Sequence, residues 1–451
     1  MSRQLRRWLG ALSLALLAAC GGSDDNALVV GACDVPSRQA GLRSYFDDWY
    51  FWYALSPKPA PGSQPTVDAY FNALLYTGTD ANFPADRWSF HQSTESFNQF
   101  FGDGKTLGYG IAVAGLEVTS PTPQPGAPLY VRYVEPLSPA ATAGVVRGDR
   151  VVSINGRTAA EMIGANDFSL LSPAAAGDRI TVVLANASGQ RTVAITAAVF
   201  ALTPVSRSAV VTSPAGRKMG YLVVKDMITQ AGTPMASAFQ SFAAQGVTEL
   251  VIDLRYNGGG FVSVARDLAS YVRGATTARP TTFASLLYSD KRSGSNTAFT
   301  FNSPANMLTL SRVYVLAGPR TCSASEQVIN ALRPFVDVVL LGDTTCGKPV
   351  GFNPADDGCG ETYSIVTFES VNARNEGRYF NGFDPRCAIA EDFTKTLGAN
   401  DEPLLAAARN HADGIGCPVL AAPAREQTLA AKLRRWSAAA AEGERGVMIP
   451  K

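Results

Sequence analysis

Thr248-Glu249-Leu250-Val251-Ile252-Asp253-Leu254 is followed directly by Arg255-Tyr256-Asn257-Gly258-Gly259-Gly260, and then by apolar residues at Phe261, Val264, Leu268 and Val272. The first run predicts a buried strand, and the spacing after the glycines, close to 3.6, predicts a helix. The unit recurs. Arg312-Val313-Tyr314-Val315-Leu316-Ala317 predicts a second strand, residues 323–332 a second helix, and Val336-Asp337-Val338-Val339-Leu340-Leu341 a third strand. Strands alternating with helices predict an α/β core, here spanning residues 201–423.

Upstream the period shortens. Leu129-Tyr130-Val131-Arg132-Tyr133-Val134, Arg150-Val151-Val152-Ser153-Ile154 and Ile180-Thr181-Val182-Val183-Leu184 are short alternating runs, and Asn155-Gly156 signals a hairpin turn. Residues 105–200 are therefore expected to form a β-rich domain. Residues 20–104 carry a tether and the aromatic block Tyr45-Phe46-Asp47-Asp48-Trp49-Tyr50-Phe51-Trp52-Tyr53. A proline-rich turn and a helical pattern at Tyr70, Leu74 and Leu75 follow, predicting a small helical subdomain whose aromatics pack as core. Residues 424–451 open with an alanine-rich stretch and are expected to be a peripheral helical tail. The chain thus reads as a multidomain α/β (α+β) protein.

Arg3, Arg6 and Arg7 precede an apolar run, Leu9 to Leu17, that is too short to span a bilayer. The run ends in Leu17-Ala18-Ala19-Cys20, before the polar Gly21-Gly22-Ser23-Asp24-Asp25. This resembles a bacterial lipoprotein signal, which implies removal of residues 1–19, lipidation of Cys20 and a place in the bacterial cell envelope. Gly21, where some such proteins carry aspartate, resembles outer-membrane sorting, with the protein facing the periplasm. Losing three arginines and no acids takes the formal charge from +1 to −2. A nearly neutral body gives no electrostatic reason to expect nucleic acid. No later segment is long and apolar enough for a transmembrane helix, so the lipid is the expected membrane contact.

Seven cysteines less Cys20 leave an even six, which in an exported protein favours disulfides. No CxxC pair occurs, and His91 and His411 are the only histidines. Zinc is not expected, and nothing implies another metal or an organic cofactor.

Thr321-Cys322-Ser323-Ala324-Ser325-Glu326 falls where a strand gives way to a helix. A serine there either caps the helix or presents a nucleophile beside free N–H groups able to hold an oxyanion. Neither histidine sits at a strand end of the core, so neither suits as its base. A lysine can serve instead if burial keeps its amine neutral. Lys348, after the third strand and the small or polar residues 342–347, occupies such a place.

Ser-Ala-Ser-Glu at 323–326 and Gly-Lys at 347–348, 25 residues from serine to lysine, together resemble the carboxyl-terminal processing, or tail-specific, serine proteases. Asp253-Leu254-Arg255-Tyr256-Asn257-Gly258-Gly259-Gly260 is similar to that family's Asp-Leu-Arg-x-Asn-x-Gly-Gly segment, in the right order. The resemblance implies a crotonase-like α/β protease core. It also implies that Ser323 attacks, that the Lys348 amine touches the Ser323 hydroxyl and takes its proton, and that the N–H groups of Ala324 and Gly259 hold the oxyanion. Leu107-Gly108-Tyr109-Gly110-Ile111 resembles a PDZ carboxylate-binding loop, with Gly108, Tyr109, Gly110 and Ile111 facing a peptide C-terminus. Asp86-Arg87-Trp88-Ser89-Phe90 is similar to the family's segment before the PDZ domain. If Ser323 and Lys348 meet, their neighbours Cys322 and Cys346 come close enough for a disulfide.

The chain also departs from the pattern. Phe352 stands where many members have glutamine, and Pro334 where some have aspartate, which leaves Glu326 as the candidate for orienting Lys348. The expected function is a serine endopeptidase cutting exported proteins near their C-termini with help from the PDZ module. The alternatives are a weak or inactive lipoprotein that binds protein C-termini, and an enzyme acting on acyl esters or thioesters.

Overall fold

The computed structural model describes residues 28–113, 126–273, 281–417 and 446–451; Cys20, the signal and the alanine-rich stretch lie outside them. A six-stranded sheet forms the centre, in the order Val205–Thr212, Lys218–Val224, Glu249–Asp253, Arg312–Ala317, Asp337–Gly342 and Cys387–Ala388. The first pair is antiparallel and every later pair parallel. Parallel strands buried on both faces need helices on both sides. Leu250, Ile252, Val313, Val315 and Leu340 face the cluster that includes helices Val262–Arg273 and Ala324–Leu332. Val251, Tyr314, Leu316, Val339 and Leu341 face helix Pro403–Ala412. Near-continuous apolar runs are what this two-sided burial demands.

A second sheet, not anticipated from the sequence, joins Thr297–Thr300, Thr282–Tyr288, Val366–Val371 and Val350–Phe352 in antiparallel fashion. The β-rich region has a six-stranded sheet with its own core: Ile111–Val113, Leu129–Val134, Arg150–Ile154, Arg179–Asn186 and Gly189–Thr196 in that order, and Arg157–Thr158 paired to Arg150–Ile154 off this path. Asn155 and Gly156 both take positive φ, 49° and 81°, and turn Arg150–Ile154 back onto Arg157–Thr158. Two positive φ values in a two-residue loop are the turn that Asn-Gly favours.

Near the N-terminus, helix Val35–Trp49 is capped by Asp34 and helix Val67–Leu74 by Thr66, each side chain accepting a first-turn N–H. Tyr45, Phe46, Trp49, Tyr50 and Trp52 are buried in a cluster continuous with the main core. A Cys33–Cys359 disulfide fastens this region down, and Cys387–Cys417 closes another pair.

One expectation needs correcting. The described end of the region read as a helical tail, residues 446–451, is extended rather than helical, and its Val447, Met448 and Ile449 are buried rather than peripheral. Val447–Ile449 is a strand parallel to Gly259–Phe261. Two β-branched residues around a methionine, closed by Pro450, suit a strand better than a helix end.

Candidate active site

Ser323 stands between the Arg312–Ala317 strand and helix Ala324–Leu332, with φ 61° and ψ −114°. A non-glycine residue at positive φ is strained, and it persists only where its surroundings over-determine it. Here they do. Cys322 N donates to the Asn257 carbonyl at 3.0 Å, and Ser325 Oγ donates to the same carbonyl at 3.0 Å. Thr321 Oγ1 donates to the Leu254 carbonyl at 2.8 Å. Asn257 is itself held, Nδ2 donating to Val224 O at 2.9 Å and Oδ1 accepting from Gly259 N at 2.8 Å. The glycine-rich segment therefore braces the serine turn. Ser323 Oγ is buried and has no hydrogen-bond partner among the described residues.

Glu326, one turn into the helix and fully buried, connects the serine to the lysine loop. Its Oε2 accepts from Ser323 N at 3.0 Å and from Lys348 N at 2.8 Å. Its Oε1 accepts from Gly347 N at 2.8 Å and Thr345 Oγ1 at 2.5 Å. Two amides 25 positions apart in sequence thus share one oxygen. Burial lifts the carboxyl above the usual carboxylate range, and the four hydrogen bonds pull the other way. A Cys322–Cys346 disulfide ties the same two loops a second time. Cys322, Glu326 and Cys346 gather closely enough to suggest a metal site. The two sulfurs, however, are bonded to each other, and a metal needs thiolates.

The Lys348 side chain is completely buried. Burial drives its amine well below the ordinary lysine value, although Asp86 and Glu326 pull it upward. Phe352, the departure noted in the sequence, supplies the floor: Lys348 Nζ lies 3.6 Å from the centre of its ring. The expected Lys348–Ser323 hydrogen bond is not made in this state. Nζ donates instead to the carbonyl of Gly446, a residue the sequence reading did not connect with the site. Gly446 packs closely against both Cys322 and Lys348. A Cβ at Gly446 would fall 2.5 Å from Cys322 Sγ and 2.9 Å from Lys348 Cδ.

Of the two backbone donors, Ala324 N opens the helix and Gly259 N is engaged by Asn257. A Cβ at Gly259, where φ is 104°, would collide with the Val447 carbonyl and fall 2.9 Å from Ala324 N. Only glycine permits so close an approach. The histidines lie elsewhere. His91 bonds Glu361 and Asp68, at 3.0 and 2.8 Å, and His411 Nδ1 meets Tyr314 Oη at 3.3 Å.

Asp86, from the segment before the β-rich region, accepts from Tyr50 Oη and Ser89 Oγ at 2.6 Å each and from Trp88 N at 2.9 Å. That bonding fixes the helical region above the lysine. Gly108 ends strand Lys105–Gly108, and Tyr109 and Gly110 link it to Ile111–Val113; the Tyr109 and Gly110 carbonyls accept from Ala140 N and Glu135 N, both at 3.0 Å. Ile111 begins the edge strand of that sheet. From the same domain Arg147 reaches Tyr256 Oη at 2.7 Å and Glu391 at 2.9 Å. Tyr256 is the residue before Asn257.

Glu326→Ala would strand the buried N–H groups of Ser323, Gly347 and Lys348, and the expected cost is about 3 kcal/mol or more. Urea unfolding measures it, and an unchanged midpoint would show that the carboxylate is not the tie. Replacing both Cys322 and Cys346 by serine should cost about 2–4 kcal/mol, visible as a lower thermal midpoint and as lost protection of the 321–325 amides in hydrogen exchange.

Comparison with known proteins accords with this arrangement. Residues 218–385 match the model of peptidase family S41, residues 39–90 that of the S41 N-terminal domain, and residues 130–186 that of the PDZ domain. The chain is 29% identical over 299 residues to carboxyl-terminal-processing peptidase 3, chloroplastic, of Arabidopsis thaliana, covering 63% of this chain and 53% of the relative. It is 25% identical over 239 residues to a carboxyl-terminal-processing protease of Picosynechococcus, covering 52% and 55%. The chain spans about half the length of these curated relatives. A crystal structure from Bacteroides fragilis, assigned as an S41 protease, superposes with a TM-score of 0.62 at 27% identity, over 83% of this chain and 97% of that one. The serine elbow, the glycine-rich brace and the lysine loop all fall inside residues 218–385, the core over which the chain is similar to peptidase family S41.

Proposed function

We propose that the chain is a serine endopeptidase in which Ser323 is the nucleophile and Lys348 its general base. The observation that carries this reading is the pairing of a strained, unpartnered serine with a wholly buried lysine, their main chains fastened to one carboxylate oxygen. The Ser323 hydroxyl makes no hydrogen bond to the described residues, and the Lys348 amine is kept from water and donates to the Gly446 carbonyl.

Ser323 Oγ attacks the scissile carbonyl carbon while its proton passes to the Lys348 amine. The oxyanion forms beside Ala324 N–H at the positive end of the helix. Gly259 joins as a second donor only after releasing Asn257. Collapse of the intermediate breaks the C–N bond, the leaving amine takes the proton from Lys348, and water then hydrolyses the acyl-serine. Glu326 acts through the backbone, holding both loops in register, and is a positioning residue.

The substrates are exported proteins cut near their C-termini. The Gly108–Ile111 loop and the open edge of strand Ile111–Val113 capture the terminal carboxylate and extended tail. The relatives' names and the PDZ match support this. The lipid at Cys20 holds the enzyme in the bacterial cell envelope, at the outer membrane facing the periplasm.

Purified chain incubated with reduced, carboxymethylated lactalbumin should cleave it. Ser323→Ala and Lys348→Ala should each lower the rate roughly a thousandfold or more. Cleavage by either variant at the parent rate would end the proposal. The sign of the pH dependence follows from the lowered lysine. Only the neutral amine accepts a proton, so the rate should fall as pH drops through its depressed pKa and stay level above it. A rate constant down to the carboxylate range would implicate another base.

A further inference from the structure

Residues 446–451 run past Cys322 and Lys348 and along the glycine-rich strand Gly259–Phe261. Val447, Met448 and Ile449 are opposite Gly259, Gly260 and Phe261 in a parallel ladder, and all three are buried. Val447 N donates to Gly258 O at 2.8 Å, and Ser263 N donates to Lys451 O at 3.0 Å. The far side is closed by the strand that follows Lys348, where a Cβ at Gly351 would fall 2.7 Å from Met448 O. The segment thus runs from the lysine amine to the start of helix Val262–Arg273, paired by main chain along the glycine-rich strand.

Its register at the reacting pair is unproductive. The Gly446 carbonyl takes a hydrogen from Lys348 Nζ, and Ser323 Oγ is left without a partner. A base that donates to one carbonyl while its nucleophile stands unbonded is not engaged in proton transfer. The segment presents its carbonyl oxygen to the amine, with no hydrogen bond drawing the serine toward it.

We propose that Gly446–Lys451 is a built-in blocking strand, a length of the chain's own backbone seated in the peptide groove, and that the groove takes extended apolar peptides by the same main-chain pairing to Gly259–Phe261. This rests on the reading of Ser323 and Lys348 as the reacting pair. Strand addition supplies affinity through backbone hydrogen bonds while side chains at the groove choose the sequence. Because the segment belongs to the same chain, it competes as an intramolecular ligand, and a protein substrate must displace it. Glycine is required at 446, since any side chain would strike Cys322 and Lys348.

The test uses a fluorescein-labelled peptide, Gly-Val-Met-Ile-Pro-Lys, read by anisotropy in the Ser323→Ala background so that cleavage plays no part. Three chains are compared: the full chain, the chain shortened by residues 446–451, and full-length Gly446→Val. Thermal melts check that each is folded. The opened chains should bind the peptide at least about tenfold more tightly than the full chain, and a scrambled peptide should not bind. Equal binding to all three, or binding to neither opened chain, overturns the proposal. With Ser323 restored, the shortened chain should cut carboxymethylated lactalbumin at least about tenfold faster than the full chain. Equal cutting by both overturns the blocking strand and leaves the protease reading intact. Peptide binding to the opened chains with no cutting by any chain sinks the protease reading and leaves the occupied groove standing.

Discussion

A single buried carboxylate decides how the rest of this site is arranged. Glu326 accepts main-chain N–H groups from Ser323, Gly347 and Lys348. Through it the main chains of the serine turn and the lysine loop share one carboxylate. Burying a carboxylate is costly unless every lone pair is used, and here backbone amides and Thr345 use them. The carboxylate therefore works as a rivet, because each partner it loses leaves a polar group stranded in the interior. The Cys322–Cys346 bond repeats the same tie covalently. These ties, with the bonds from the Asn257 segment, surround the strained φ at Ser323.

Around that rivet the fold supplies the dielectric. Lys348 lies over the Phe352 ring, completely buried, with Asp86 of the N-terminal region near enough to act on its charge. Desolvation outweighs the nearby acids, so the amine is pushed toward its neutral form. The β-rich domain is wired to the same place. Arg147 bonds Tyr256 and Glu391, and Arg255 forks onto Glu402 at 2.9 and 3.1 Å while its Nε meets Asp253 at 2.9 Å. Asp253, Arg255 and Tyr256 thus anchor the segment whose Asn257 braces the serine.

Much of this was readable from residues alone, and the limits are physical. The strands at 249–253, 312–317 and 337–342 announce themselves because two-sided burial demands unbroken apolar runs, and the helices after the first two show their own period. Asn155-Gly156 announces its turn because few other pairs tolerate two positive φ values. The serine elbow and the lysine were legible as chemistry set at strand ends. Phe352 as a floor for the amine was not, because a gap in a motif shows what is missing and not what fills it. The antiparallel sheet containing Val350–Phe352 was missed because its strands are short and far apart in sequence. The fate of residues 446–451 was hidden for the same reason, their partner strand being Gly259–Phe261, nearly two hundred positions earlier. Cysteine pairing followed the fold: Cys33 with Cys359 is set by where the N-terminal helices land, which no local pattern records.

The account stands or falls on the protonation of one amine. Nitrogen-15 NMR of the chain with labelled lysine, the Lys348 Nζ signal assigned by its loss in Lys348→Met, follows that group directly through a pH titration. The account predicts a midpoint far below the ordinary lysine value of 10.5, with the amine neutral where the protease works. A Lys348 signal that titrates at or above 10.5 would mean a permanently charged lysine, unable to take the serine proton, and would contradict it.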